Sequence, residues 1–198
     1  MKLEVWFEFA STYSYLTVSR VEHLLTGTQI ELVWRPFLLG PLLRDKGLST
    51  SPFNLDPAKG TYMWRDVARR SEKYGLPFVR PSIFPMNGLV AARVMTAALD
   101  EDWCGDFARL VFAAQFGRGA DISDEALLKD ALTSCGVSPE PWFEKAQTNE
   151  IKSRLRGTTD LARQLGIFGA PSFIAQDELF WGDDRLEDAI DFALSRTL

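Results

Sequence analysis

Apolar and polar residues alternate where the chain begins. Leu3, Val5, Phe7 and Phe9 interleave with Glu4, Trp6 and Glu8, a period of two that predicts a strand over residues 3–9. The period changes at Ser11. Ser14, Val18, Val21 and Leu25 recur at helical spacing, with Ser11 and Thr12 placed to cap the helix and Gly27 to end it. From Gln29 to Arg35 alternation returns, with Ile30, Leu32 and Trp34 on one face. A strand–helix–strand unit of this length predicts parallel pairing of the two strands.

The middle of the chain has helical periodicity. Leu38, Leu39, Leu42 and Leu43 suggest a short helical turn inside a long irregular stretch, Phe37 to Ala58, dense in Gly, Ser, Pro, Asn and Asp. Such a stretch is either a binding loop or a solvated connector. Helical patterns follow over Lys59 to Tyr74, Gly88 to Leu99, Asp106 to Phe116 and Asp124 to Cys135, then from Ser138-Pro139, then over Asn149 to Leu165. Gly88 to Leu99 is apolar nearly all round and is expected to be the buried helix. Ser123 is read as the cap of the Asp124 helix. A Pro-punctuated loop, Leu76 to Asn87, separates the first two helices.

Alternation then resumes. Ser172 to Ala175 and Leu179 to Trp181 read as an antiparallel hairpin. Gly182-Asp183-Asp184 opens a last helix, with Asp184 and Glu187 at capping-box spacing. The order βαβ, helices, ββα leaves two fragments that cannot bury a sheet separately. Joined, they form a four-stranded mixed sheet of thioredoxin-like α/β class. Residues 1–38 and 167–198 supply that domain, and 39–166 form a helical insertion that takes in most of the irregular 37–58 stretch.

Composition narrows the function. The chain has 198 residues, 46% hydrophobic, and a net charge of −5 with no long basic run. Nucleic acid is therefore not an expected partner. No apolar stretch approaches the roughly 18 residues of a membrane span. Cys104 and Cys135 are isolated, which argues against a disulfide framework and for a reducing compartment. Met1-Lys2-Leu3-Glu4 lacks the basic-then-apolar start of a signal peptide, so a cytoplasmic setting is expected. The single histidine, His23, lies inside a periodic helix and serves no triad or His-rich zinc site. Six tryptophans imply a dense core or flat binding surfaces.

Two local features carry candidate chemistry. Ser11 sits where free backbone N–H groups open a helix, a setting that favours negative charge and equally suits a plain N-cap. Ser11 and Ser14 stand where redox members of this fold carry Cys-x-x-Cys, so dithiol exchange is excluded. Gly169-Ala170-Pro171-Ser172 places a proline at a strand start. This is either an ordinary loop proline or a cis bond that leaves the Ala170 N–H and C=O free for an extended peptide.

Seven stretches carry a wider resemblance. They are Phe7 to Leu16, Arg35 to Gly40, Ser51 to Asn54, Ala58 to Asp66, Phe84 to Asn87, Gly166 to Phe173 and Trp181 to Leu186. Together they resemble the 2-hydroxychromene-2-carboxylate isomerase family, which is grouped with kappa-class glutathione transferases and related to DsbA-type proteins. One departure is Ala10-Ser11-Thr12-Tyr13, where many members read Ser-Pro-Tyr; the hydroxyl is kept. The resemblance implies bound glutathione. Ser11 would donate to its sulfur, and Ala170, before Pro171, would pair with its cysteinyl backbone. Asp183 and Asp184, beside Trp181 and Gly182, would hold its γ-glutamyl end. Asn54 would contact substrate, Arg44 or Lys46 its carboxylate, and Phe84, Pro85, Tyr62 and Trp64 would line an aromatic pocket. The implied reaction is reversible thiolate addition, bond rotation and elimination, giving a trans-o-hydroxybenzylidenepyruvate-type product with glutathione regenerated. A homodimer is implied too. The other readings are a kappa-like transferase or peroxidase that consumes glutathione, and a noncatalytic thioredoxin-fold binding module.

Overall fold

Strand β1 (Lys2–Phe7) lies inside a four-stranded sheet ordered β2-β1-β3-β4. It pairs in parallel with β2 (Glu31–Pro36), Val5 opposite Trp34, and antiparallel with β3 (Ser172–Ala175), Val5 opposite Phe173. Strand β4 (Glu178–Trp181) completes the hairpin across Gln176 and Asp177, whose φ values of 46° and 68° suit a type I′ turn. The computed structural model describes residues 1–195; the last three residues of the expected 167–198 segment lie outside the described residues. The α/β thioredoxin-like class is as the hydrophobic pattern indicated.

Both faces of the sheet are covered. Leu3, Val5 and Phe7 enter the large core, while Trp6 packs with Phe37, Leu42, Ala162 and Ile167 on the opposite face. The alternation had grouped Trp6 with the glutamates, but a sheet covered on two sides buries the odd positions and Trp6 alike. The Trp6 indole still satisfies its N–H, on Glu4 Oε2 at 3.0 Å.

The expected first helix is two helices, α1 (Thr12–Val18) and α2 (Val21–Leu25). Ser19 Oγ donates back to the Tyr15 carbonyl at 2.7 Å, and Arg20 leaves the helical region with φ −132°. The turn formers of residues 37–58 do not make one irregular loop. They hold α3 (Leu39–Asp45) and the single turn α4 (Pro52–Leu55), capped by Ser51 with Pro52 at its first position. Asp56 caps α5 (Pro57–Tyr74), and Gly75 stops it in the left-handed region with φ +68°.

Next come α6 (Leu89–Ala97), largely buried as expected, and α7 (Cys104–Phe112), which continues into a π-helical turn at Ala113–Gly117. Then follow α8 (Glu125–Ser134), α9 (Pro139–Ala146) and α10 (Asn149–Gln164). Asp124, not Ser123, caps α8, because the Ser123 N–H and hydroxyl are both spent on Asp121. The last helix, α11 (Leu186–Leu194), is entered through a 3-10 turn at Asp183–Arg185. The anticipated Asp184–Glu187 capping box is absent: Arg185 N–H goes to the Gly182 carbonyl, and the Asp184 carboxylate pairs with Arg185 at 3.1 Å.

The aromatic residues that close β1 anchor the loop to Ser11. Phe9 packs on Phe112 at 5.2 Å and Phe7 on Trp34 at 5.6 Å. Tyr15 of α1 meets Phe116 of the π-helical turn at 5.6 Å. Helices from between β2 and β3 thus share one core with the sheet.

Candidate active site

Ser11 follows β1 after a three-residue turn, its N–H donating to the Glu8 carbonyl at 2.9 Å. With φ −86° and ψ 121° it is the N-cap of α1, and Oγ accepts the Ser14 N–H at 3.1 Å. The N–H groups of Thr12 and Tyr13 have no partner among the described residues, as the first turn of a helix requires. The Ser11 hydroxyl proton is committed to the Ala170 carbonyl at 2.8 Å.

That bond revises one expectation. The Ala170–Pro171 peptide is cis, and the Ala170 N–H is free among the described residues. The Ala170 carbonyl, expected to be free as well, is held by Ser11. Pro171 in turn accepts the Gly182 N–H at 3.0 Å. The start of α1, the 169–171 loop and the 182–184 turn therefore touch in sequence, and the face they share is the candidate groove. Trp181 stands at its edge. Its indole lies against Gly169, where any Cβ would overlap the ring, and pairs with Phe168 at 4.8 Å. Both rings are exposed, and Lys46 Nζ lies 5.3 Å from the Phe168 centroid. Arg44 is also exposed and folds over Gly40 instead.

Asp183 and Asp184 part company here. The Asp184 carboxylate is exposed. The Asp183 carboxylate is fully buried and already taken, which corrects its expected role as a side-chain ligand. It accepts from Thr17 Oγ1 at 2.9 Å, Arg20 Nη2 at 3.2 Å and Tyr74 OH at 3.3 Å, with Arg70 Nη1 at 3.5 Å. The backbone N–H groups of Asp183 and Asp184 remain unpartnered among the described residues. These, rather than the Asp183 carboxylate, are what the turn offers a ligand.

The network around Asp183 was not foreseen. Tyr13 OH donates to Asp66 Oδ2 at 3.0 Å, and Arg70 Nε reaches the same oxygen at 3.2 Å before turning to Asp183. Burial and the Asp66 carboxylate together hold the Tyr13 hydroxyl well above its ordinary range. A polar chain thus runs from the residue two past Ser11 to the turn that begins α11. The spacing of Asp66, Arg70 and Tyr74 along one helix stripe was the signal available for it.

Glu8 was also missed. Its side chain is buried beneath the loop that carries Ser11, and Oε2 accepts the Leu39 N–H at 2.7 Å. Burial pushes its carboxyl up to about 7, against the pull of the N–H groups of Leu39 and Ala10. A carboxyl whose pKa rises on folding keeps its proton longer in the folded state, so stability falls as pH climbs from about 4.5 through 7. Relative to Glu8→Gln, the wild-type protein is expected to lose about 2–3 kcal/mol across that window. Urea unfolding of both proteins at pH 4.5 and pH 8 measures this; an unchanging difference would show that Glu8 titrates as an ordinary glutamate.

The residues assigned to substrate gather in a second cluster. Asn54 Nδ2 donates to the Phe84 carbonyl at 2.8 Å and to Thr50 Oγ1 at 3.3 Å, pinning α4 to the Phe84–Pro85 peptide. Trp64 meets Phe84 edge-on at 4.9 Å. Tyr62 is exposed and lies under Arg69 instead. The two clusters join at Tyr13 and Phe53, whose rings are 6.3 Å apart.

Residues 2–191 match the family model described as DSBA-like thioredoxin domain. The 2-hydroxychromene-2-carboxylate isomerase of Sphingobium xenophagum is 26% identical over 186 residues, covering 93% of this chain and 94% of that protein. Human glutathione S-transferase kappa 1 is 28% identical over 199 residues, covering 93% and 87%. Among solved structures, a 2-hydroxychromene-2-carboxylate isomerase superposes with a TM-score of 0.87 at 24% identity, over 96% of this chain and 95% of that one. The cytosolic disulfide reductase DsbM of Pseudomonas aeruginosa, solved with GSH, gives 0.68 at 13% identity, over 98% and 96%. With its mixed sheet, its cis-proline loop facing the start of α1 and a family match over nearly its whole length, this chain belongs to the DsbA-like thioredoxin domain family.

Proposed function

We propose that the protein is a glutathione-dependent isomerase of 2-hydroxychromene-2-carboxylate-type intermediates. The observation that carries this is the hydroxyl of Ser11, held 2.8 Å from the Ala170 carbonyl at the mouth of a groove with unpaired backbone donors on its sides. Its companion position is the buried Ser14, so the groove is equipped to hold a thiolate and not to exchange a disulfide. The relatives named as kappa glutathione transferases support the same ligand.

The donors on this face suit a γ-glutamyl tripeptide. Ala170 N–H would take the peptide backbone, and the N–H groups of Asp183 and Asp184 would take a carboxylate. Glutathione, when bound, supplies a thiolate able to add reversibly to a conjugated carbonyl compound. Ser11 turns its hydroxyl from Ala170 to the sulfur and holds it charged near neutral pH. Thr12 and Tyr13 N–H add positive potential at the same end of α1. Asn54 fixes Phe84 and Pro85 as one wall for an aromatic substrate, with Trp64 behind it, and Lys46, 5.3 Å from the Phe168 ring, would meet a carboxylate from the other side. A small aromatic substrate and a homodimer come with this reading from the family resemblance, and a cytoplasmic setting from the isolated cysteines and the Met1-Lys2-Leu3-Glu4 start. Among the described residues no helix is long and apolar enough to cross a membrane.

Supplying 2-hydroxychromene-2-carboxylate with trace glutathione tests the reading. The expected result is trans product in large excess over glutathione, which stays intact. Stoichiometric loss of glutathione would select the kappa-like transferase instead. No calorimetric binding at millimolar glutathione would remove both and leave a noncatalytic binding module.

A further inference from the structure

A second cleft, of about 350 Å3, opens between α3, α6 and α10. Leu38, Leu89 and Leu155 give it an apolar wall, and Arg93, Lys152 and Arg156 surround that wall. Asp160 is the single carboxylate in the lining, and it is engaged by Arg163 at 2.6 Å. Lys152 and Arg156 have no carboxylate within 4.0 Å among the described residues, and Arg93 reaches only Gln147 Oε1, at 3.4 Å. Three cations beside hydrocarbon, without counterions, run against the acidic balance of a chain with net charge −5.

The wall is preformed. Thr159 Oγ1 accepts the Leu38 N–H at 3.1 Å and donates to the Leu155 carbonyl at 2.9 Å, fastening the start of α3 onto α10. None of the lining residues belongs to the groove at Ser11, Ala170 or the 182–184 turn. The volume lies in the lower part of the roughly 300–1,000 Å3 range of small-molecule sites. Guanidinium groups match a carboxylate's two oxygens, and leucine side chains match a ring or branched hydrocarbon.

We propose that this cleft is a binding site for a small carboxylate with an apolar ring body, separate from the glutathione groove. Cyclohexanecarboxylate serves as the probe, since its saturated ring offers nothing to conjugate addition. Titration by calorimetry at low ionic strength is expected to show saturable binding that weakens with salt. Cyclohexanemethanol, the uncharged analogue, is expected to bind at least tenfold more weakly. The double variant Lys152→Glu/Arg156→Glu should lose at least thirtyfold in affinity, and the milder Lys152→Gln/Arg156→Gln about tenfold, while both melt at the wild-type temperature and bind glutathione as the wild type does. Undiminished binding in these variants, equal binding of the alcohol, or displacement by saturating glutathione would overturn the site. Equal competition by inorganic phosphate would overturn the ring-bearing ligand class. Because glutathione is titrated separately, failure here and failure of the isomerase reading give different results.

Discussion

Replacing Asp183 by alanine is expected to lower folding stability by about 4 kcal/mol. The carboxylate has no exposed surface and faces two guanidinium groups, Arg20 at 3.2 Å and Arg70 at 3.5 Å, along with the hydroxyls of Thr17 and Tyr74. Its loss leaves cations facing each other with donors unsatisfied, and breaking a buried pair costs more than the pair itself contributes. Arg20 retains Glu187, and Arg70 is 28% exposed and retains Asp66, which keeps the loss to a few kcal/mol. Asp183→Asn preserves shape but turns an N–H2 toward the arginines, so an intermediate loss is expected. Urea unfolding at pH 7 measures both. A loss below about 1 kcal/mol for alanine, the size of a surface pair, would mean the network does not hold the turn in place.

Asp183 also shows where sequence reading stops. Two aspartates in a row at a helix start look alike on paper. Thr17 and Arg20, which make one of them interior, are 166 and 163 residues away in the chain. Local signals fared better. The change of period at Ser11, the stop at Gly75 and the proline at the start of β3 are each decided by neighbouring residues, and each was legible. The break at Ser19 and Arg20 was not, because the apolar spacing continues through it. Trp6 was misgrouped because alternation reports a one-sided sheet, and this sheet is covered on both sides. Helix α4 was hidden because Ser51-Pro52 reads as a turn and works as a cap and first helical position. Glu8 gave no signal at all: nothing local tells a buried glutamate from a solvated one at the end of an alternating strand.

On the proposed function, replacing Ser11 by alanine is expected to slow isomerisation by about 10²-fold, the usual cost of removing one donor aimed at a reacting anion. Two roles are mixed in that residue. The oxygen caps α1 through the Ser14 N–H at 3.1 Å, and the proton, given to the Ala170 carbonyl at 2.8 Å, is the one that the proposed function turns to a sulfur. Alanine removes both, with about 1 kcal/mol of stability lost with the cap. Glycine separates them, since it is tolerated at an N-cap within a few tenths of a kcal/mol yet has no hydroxyl. Ser11→Gly should therefore melt close to the wild type and turn over as slowly as Ser11→Ala, while Ser11→Thr, which keeps both functions, should recover most of the rate. The pH profile gives an independent reading. If the hydroxyl holds the thiolate, its removal moves the alkaline rise in kcat/KM toward the ordinary thiol value of about 8.5, and the ultraviolet thiolate absorbance of bound glutathione at pH 7 fades. A glycine variant with wild-type turnover would reduce Ser11 to a helix cap and transfer the task of holding the sulfur to the N–H groups of Thr12 and Tyr13.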